Sequence, residues 1–262
     1  MGDEAHLHVD RVGAVGILEL ARPARFNALS IALNTALQSA LDDFERPGSG
    51  VRAVLLQAQG RNFCTGADLD EVLSLRGDAA AVRQFIGPAH RTMRRIEASP
   101  LPVVVACQGL ALAGGLELMM ACDVAFAARD ARFGDQHAQY GLLPGFGGSQ
   151  RLPRLVGFRR AMDLFYSARW IDADTALQWG LVNHVVAPEA LAGAALDYAT
   201  TLAARSRPGL ALMKRLARAG LDGTLDAGLA MEERDVIDGL LHADVSEGLA
   251  AFRARRPPRF EG

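Results

Sequence analysis

The sequence predicts an α/β fold, a core of alternating strands and helices followed by a part that is almost wholly helical. Three observations predict it. Short apolar runs that suit buried strands alternate with stretches of helical spacing up to about residue 186. From Glu189 onward, helical signals follow one another without a strand. No Pro/Gly/Ser-rich linker divides the two parts, so they should pack together. The expected organisation is a core over residues 1–195 and a helical C-terminal region over residues 196–262.

Leu7-His8-Val9 and residues 14–20 alternate or cluster apolar side chains around a glycine, as an opening hairpin does. Residues 30–44 have helical spacing, with Ser30 as N-cap and Leu33, Leu37, Leu41 and Phe44 on one stripe. Pro47-Gly48-Ser49-Gly50 ends that helix. Residues 51–57 read as a buried strand, 60–67 as a loop, and 79–98 as a helix with a Gly87-Pro88 defect. Residues 103–107 are the most strand-like run, 114–122 are helical, and 124–128 return to strand. A long glycine-rich loop, with room for one helical turn, spans 133–150. Helices follow at 150–156, 158–167 and 172–179, then a short strand at 182–186 before Pro188.

Bulk properties narrow the function. Half of the 262 residues are hydrophobic, 22% are charged, and the formal net charge is -2. Nothing in that balance points to nucleic acid or an anionic membrane; a polyanionic ligand would need a local basic patch. Cys64, Cys107 and Cys122 form no CxxC pair, so a reducing compartment, the cytoplasm, is expected. The opening MGDEAHLHVD is acidic and predicts neither a signal nor a transit peptide, and His6 breaks the myristoylation pattern. Residues 101–128 are apolar enough to test as a membrane span. Glu117 would then sit deep in hydrocarbon, at a cost of at least ~2.5 kcal/mol. A buried strand followed by a buried helix is the better reading.

Three segments bring glycines, apolar strands and isolated polar groups together. They are Gly60-Arg61-Asn62-Phe63-Cys64-Thr65-Gly66-Ala67-Asp68-Leu69, the run from Gln108 to Leu118, and the run from Phe133 to Gly148. In the second, a strand feeds a Gly/Ala turn and a helix begins near Gly114. The first N–H groups of a helix lack partners and carry the positive end of its dipole. Small residues let a ligand reach that backbone, so an oxyanion is favoured there. Glu117 lies one turn on, and apart from Asp123 it is the only charge in 101–128. Its bland reading is a carboxylate satisfied by backbone N–H groups.

Taken together, these segments resemble the crotonase (enoyl-CoA hydratase/isomerase) family. Arg22-Pro23-Ala24-Arg25-Phe26-Asn27-Ala28-Leu29 is similar to its early Arg-Pro…Asn-Ala-Leu element, and Phe63 to Leu69 to its Phe-Cys/Ser-Ala-Gly-Ala-Asp-Leu loop. Gly109 to Asp123 resembles its Gly…Gly-Gly…Glu-Leu…Cys-Asp run, with Gln108 where Asn is usual. Pro144 to Leu152 resembles its Pro-Gly…Gly-Gly-Thr-Gln-Arg-Leu element, and Glu247-Gly248, Ala251-Phe252 and Phe260 its C-terminal end.

The resemblance implies a spiral of strand-strand-helix turns and a C-terminal helical region that mediates trimers, often paired into hexamers. It implies an acyl-CoA ligand, with the N–H groups of Ala67 and Gly114 on the thioester oxygen. Ala28 would line the CoA channel, Asp68 and Leu69 would lie near the adenine, and Arg25 near the phosphates. Arg255, from its own or a neighbouring chain, is a further phosphate candidate. No metal or redox cofactor is implied. The C-terminal apolar positions Leu202, Leu210, Met213 and Leu216 agree with assembly.

Family hydratases use two glutamates. Glu117 matches the first, and His137 stands where the second is expected. Asp135 is the nearest further carboxylate. At the position of the family dehalogenases' nucleophilic Asp stands Gly145. Cys64 reads as a small buried residue. The Gly145-Phe146-Gly147-Gly148 loop lacks the Gly-Lys-Ser/Thr of a P-loop. His6 and His8 have no third ligand at metal spacing. The leading expectation is an enoyl-CoA hydratase with Glu117 as base and His137 as partner. A Δ3-Δ2-enoyl-CoA isomerase, or another single-base enzyme, is the alternative, and a CoA-thioester binder with little turnover the third.

Overall fold

The computed structural model describes residues 6–260; the expectations resting on residues 1–5 lie outside the described residues. Among the described residues nine strands are formed: β1 (Leu7–Val12), β2 (Val15–Leu20), β3 (Ala53–Ala58), β4 (Val103–Cys107), β5 (Leu110–Leu112), β6 (Val124–Ala128), β7 (Arg132–Gly134), β8 (Ile171–Asp172) and β9 (His184–Val186). The helices are α1 (Ile31–Glu45), α2 (Leu69–Leu75), α3 (Ala79–Ala98), α4 (Gly114–Ala121), α5 (Gly148–Val156), α6 (Phe158–Ser167), α7 (Ala173–Gln178), α8 (Leu191–Ala203), α9 (Arg207–Leu221), α10 (Leu225–Leu240) and α11 (Ala243–Arg253).

The strands form two sheets. The larger has the order β1-β2-β3-β4-β6-β9, and the smaller β5-β7-β8. β1 and β2 make the antiparallel hairpin, and every later pairing in the larger sheet is parallel. The chain leaves β4 through Gln108 and Gly109 and enters β5 of the other sheet; it does the same from β6 to β7. β5 and β7 then pair in parallel, Ala111 opposite Phe133. This is the expected spiral: two strands in different sheets, then a helix, in successive turns.

Alternation along the parallel strands sends side chains to opposite faces. On one face Leu18, Val54, Leu56, Val103, Val105 and Cys107 pack against α1, α3 and α4. On the other, Ile17, Leu55, Val104, Ala106 and Phe126 meet Leu191, Ala195, Ala199 and Ala203 of α8. Both faces being covered explains the unbroken apolar run of β4. The small residues of α8 recur every four positions, which brings the helix close to the sheet.

Ser30 caps α1 as expected, its hydroxyl accepting from Leu33 N–H. α3 continues through Gly87-Pro88, with Pro88 buried inside it. Five elements depart from expectation. Residues 69–75 form α2, capped by Asp68. The turn after β4 contains β5, the glycine-rich loop opens with β7, and β8 precedes α7. Each of these strands has only two or three residues, too few for a period-two pattern to stand out. α5 begins at Gly148 rather than at 150.

The division expected between residues 195 and 196 falls inside α8, which packs on the sheet. Helices that leave the sheet start at α9. Neither α9 nor α10 has a buried residue, and Leu225, Leu241 and Phe252 are 77, 83 and 82% exposed. Lys214 ties α9 down, donating to the carbonyls of Ile96 and Leu101 and to Asp123. Among the described residues, no helix is long and apolar enough to cross a membrane.

Candidate active site

The site is built where the two sheets part. β5 ends at Leu112, and the next residue, Ala113, has φ 48° and ψ −120°, a conformation disfavoured for a residue with a Cβ. Its N–H donates to the Gly134 carbonyl of β7 at 2.9 Å, which holds the bend. The chain then turns into α4, leaving the first helical N–H, that of Gly114, pointing away from the helix.

A second loop lies against this turn. Leu29 N–H donates to Gly66 O and Asp68 N–H to Leu29 O, which orients the Ala67 peptide between them. Gly66 has φ +113°, and a Cβ there would lie 3.2 Å from the Gly114 nitrogen. A Cβ on Gly115 would fall 2.1 Å from the Cys64 carbonyl. Glycines therefore allow the two backbones to touch. Among the described residues, the N–H groups of Ala67 and Gly114 have no protein acceptor. Both line one pocket of about 470 Å³.

Glu117, on the first turn of α4, is 1% exposed. Its Oε1 accepts from Phe146 N–H at 2.8 Å and Gly148 N–H at 2.6 Å. Its Oε2 has no hydrogen-bond partner and lies 4.0 Å from His137 Nε2. Burial pushes the carboxyl above its ordinary range, against the opposing pull of the two N–H groups and His137. The bland reading of this carboxylate therefore describes one oxygen only.

His137 opens a short 3-10 turn, His137–Tyr140, after Gln136 in a left-handed conformation. Its Nδ1 is 2.9 Å from Asp135 Oδ1, and Asp135 is 2% exposed. A buried carboxylate accepts, so Nδ1 carries the hydrogen and Nε2 faces Glu117. Burial pulls the imidazole pKa down. The Asp135 hydrogen bond and the charges of Asp135 and Glu117 outweigh it, and the net direction is up.

The pocket continues outward past Ala28, Arg25, Asp68 and Leu69, and inward to Phe85, Ile86, Leu142 and Phe146. Arg25 is exposed and paired with Asp70 at 2.5 Å. The Asp68 carboxylate is turned to Arg22, 2.9 Å away, and caps α2. Arg255 lies beyond α11 and outside the lining of its own chain's pocket. Cys64 is fully buried, which pushes its thiol up to about 12 and leaves it unreactive. The structure thus gathers Ala67, Gly114, Glu117 and His137 around one cavity. Sequence reasoning did not single out the Phe146 and Gly148 N–H groups. The glycines at 145, 147 and 148 were the available signal. Among the described residues, no group of three or more His, Cys, Asp or Glu side chains is placed to hold a metal.

Residues 10–262 match the family model described as enoyl-CoA hydratase/isomerase. The chain belongs to the enoyl-CoA hydratase/isomerase family. It is 37% identical to a probable enoyl-CoA hydratase of Rhizobium meliloti, over 97% of each chain. It is 32% identical to the short-chain-enoyl-CoA hydratase of Clostridium acetobutylicum, over 95% of this chain and 94% of that one. The crystal structure of enoyl-CoA hydratase from Bacillus anthracis superimposes with a TM-score of 0.94 at 35% identity, covering 98% of this chain and 100% of that chain. The protein is an enzyme of the enoyl-CoA hydratase type with the crotonase fold. Its pocket carries the Asp135–His137 pair opposite Glu117.

Proposed function

We propose that the enzyme adds water across the double bond of a 2-enoyl-CoA thioester. The observation that carries this reading is the single free oxygen of Glu117 facing His137 Nε2, beside two unpartnered N–H groups. The thioester oxygen sits on the Ala67 and Gly114 N–H groups. As charge moves onto that oxygen, the two donors hold the enolate. Glu117 Oε2 removes a proton from water, and the hydroxide equivalent bonds to Cβ. The imidazolium of His137 gives its Nε2 proton to Cα, and the C=C bond becomes single. Glu117 is then protonated and His137 neutral. Over 4.0 Å, direct or through one water, the proton returns.

Family resemblance supports roles for further residues. Arg25 and Arg255 serve the CoA phosphates, and Asp68 and Leu69 the adenine, Asp68 through its backbone. Coenzyme A enters as part of the substrate and no other cofactor is used. The exposed apolar side chains of α10 and α11 are covered in a homotrimer or a dimer of trimers. The free thiols suit the cytoplasm. A small acyl-CoA thioester as substrate is supported by the names of two relatives, a short-chain-enoyl-CoA hydratase and a methylglutaconyl-CoA hydratase.

The test is a panel of acyl-CoA thioesters followed by ultraviolet change and product mass. Gain of one water by a 2-enoyl-CoA is expected. A shifted double bond with no mass change would make the enzyme a Δ3-Δ2 isomerase, and no turnover of any thioester would make it a binder.

A further inference from the structure

Arg151 is the only charged residue in the segment 144–152, and it does not line the pocket. Its guanidinium is nevertheless tied to the loop that holds Glu117. Nη1 donates to the Phe146 carbonyl at 2.9 Å. Nε and Nη2 form a fork on the Glu97 carboxylate of α3, at 2.7 and 2.6 Å. Nη1 also fills the space where a side chain at Gly147 would go, since a Cβ there would lie 2.0 Å from it. Gly147 has φ +107°, so only glycine suits the turn as well as the space.

The order of peptide groups gives these contacts their meaning. The Phe146 carbonyl belongs to the 146–147 peptide. The peptides on either side, 145–146 and 147–148, supply the two N–H groups on Glu117 Oε1. We propose that Arg151 is a positioning residue for Glu117: it clamps the middle peptide so that the flanking N–H groups both stay on Oε1 and Oε2 alone is presented to the pocket. This rests on reading Glu117 as the base. From Glu97 the ion pairs continue through Arg218 to Asp123 and Lys214, so the clamp is anchored on α3 and α9. The charged groups facing Glu117 are His137 and Asp135, and those facing Arg151 are Glu97 and His90.

Hydrogen bonds to a carboxylate favour its ionised form. Loosening the clamp should therefore raise the Glu117 pKa further and let the carboxylate swing. The experiment compares Arg151→Gln, Arg151→Lys and Glu97→Gln in the full chain. It follows kcat and KM for enoyl-CoA hydration against pH. The Glu117 carboxyl is titrated independently by ¹³C NMR of glutamate-labelled protein, with Glu117→Gln assigning the signal. For Arg151→Gln, kcat should fall roughly 10-fold or more with KM little changed. Its acid limb and the Glu117 titration should both move to higher pH. Arg151→Lys should shift less, because an ammonium keeps one contact without the fork. Glu97→Gln should shift in the same direction. A Glu117 titration at the wild-type position in folded Arg151→Gln would overturn the proposal. If that variant does not fold, an unshifted titration in both Arg151→Lys and Glu97→Gln would do so. The NMR titration does not depend on turnover. If Glu117→Gln stays fully active, the base assignment fails, and the titration still reports whether Arg151 holds the carboxylate.

Discussion

Oε2 of Glu117 stands 4.0 Å from Nε2 of His137, and neither atom has another side-chain partner close by. The facing pair is held from behind on both sides: Glu117 by two backbone N–H groups, His137 by Asp135. A base and a proton donor at this separation can flank one C=C bond.

The first prediction is a bell-shaped dependence of kcat on pH. Burial raises the Glu117 pKa, so activity should be lost in acid above the ordinary carboxylate range. The Asp135 and Glu117 charges overcome burial and raise that of His137, so the alkaline loss should come above the ordinary histidine range. His137→Ala should flatten the alkaline limb and lower kcat roughly 10²-fold. Asp135→Asn should move that limb to lower pH, and His137→Glu should restore hydration of a short enoyl-CoA. An unchanged kcat and profile in His137→Ala, with only KM altered, would reduce His137 to a wall of the pocket.

The two-donor oxyanion site predicts a large effect from one missing N–H. Gly114→Pro removes the donor, but its ring would meet Phe146, which lies 2.8 Å from a Cβ at 114. The comparison is therefore made in a Phe146→Ala background. Turnover should fall by ~2.7–4 kcal/mol of transition-state stabilisation while the circular dichroism spectrum stays native. Near-equal turnover of the two folded proteins would remove Gly114 from the mechanism.

Much of this arrangement is legible in the sequence. The strand–turn–helix at Gly114 is marked by an apolar run, small residues and one isolated charge. The hairpin at Gly13 and the Ser30 cap are local features, and local features leave local signals. What was not legible depends on contacts distant in sequence. β5, β7 and β8 exist because they pair with one another, not because three residues prefer to be extended. Likewise, only the folded chain shows that Phe146 and Gly148 reach Glu117, about thirty positions away. The resemblance puts Asp68 near the adenine, but only the folded chain shows its carboxylate on Arg22 and on the α2 cap.

Stability should oppose function at Glu117. Its folded-state pKa is raised, so ionisation costs stability as pH rises from the unfolded value through the folded one. Glu117→Gln removes that cost and keeps the shape. Its melting temperature relative to wild type should be higher at about pH 8 than at about pH 4. Calorimetry at both values checks this, and a smaller difference at the higher pH would contradict it.

The proposed trimer or hexamer would cover apolar side chains of α10 and α11. Leu225, Leu240, Leu241 and Phe252 form apolar surface that a monomer would leave in water. Light scattering at micromolar concentration should return a mass three or six times that of one chain, as closed threefold symmetry requires. A monomeric mass would count decisively against the assembly.

Glu117 carries the proposed reaction. The measurement is kcat and KM of Glu117→Gln for hydration of a short 2-enoyl-CoA, beside wild type. Gln keeps the shape and can still accept from Phe146 and Gly148, but it cannot take a proton from water. A fall in kcat of at least ~10²-fold with binding retained is predicted. A Glu117→Gln enzyme that hydrates at the wild-type rate would contradict the central claim and leave Glu117 a buried structural carboxylate.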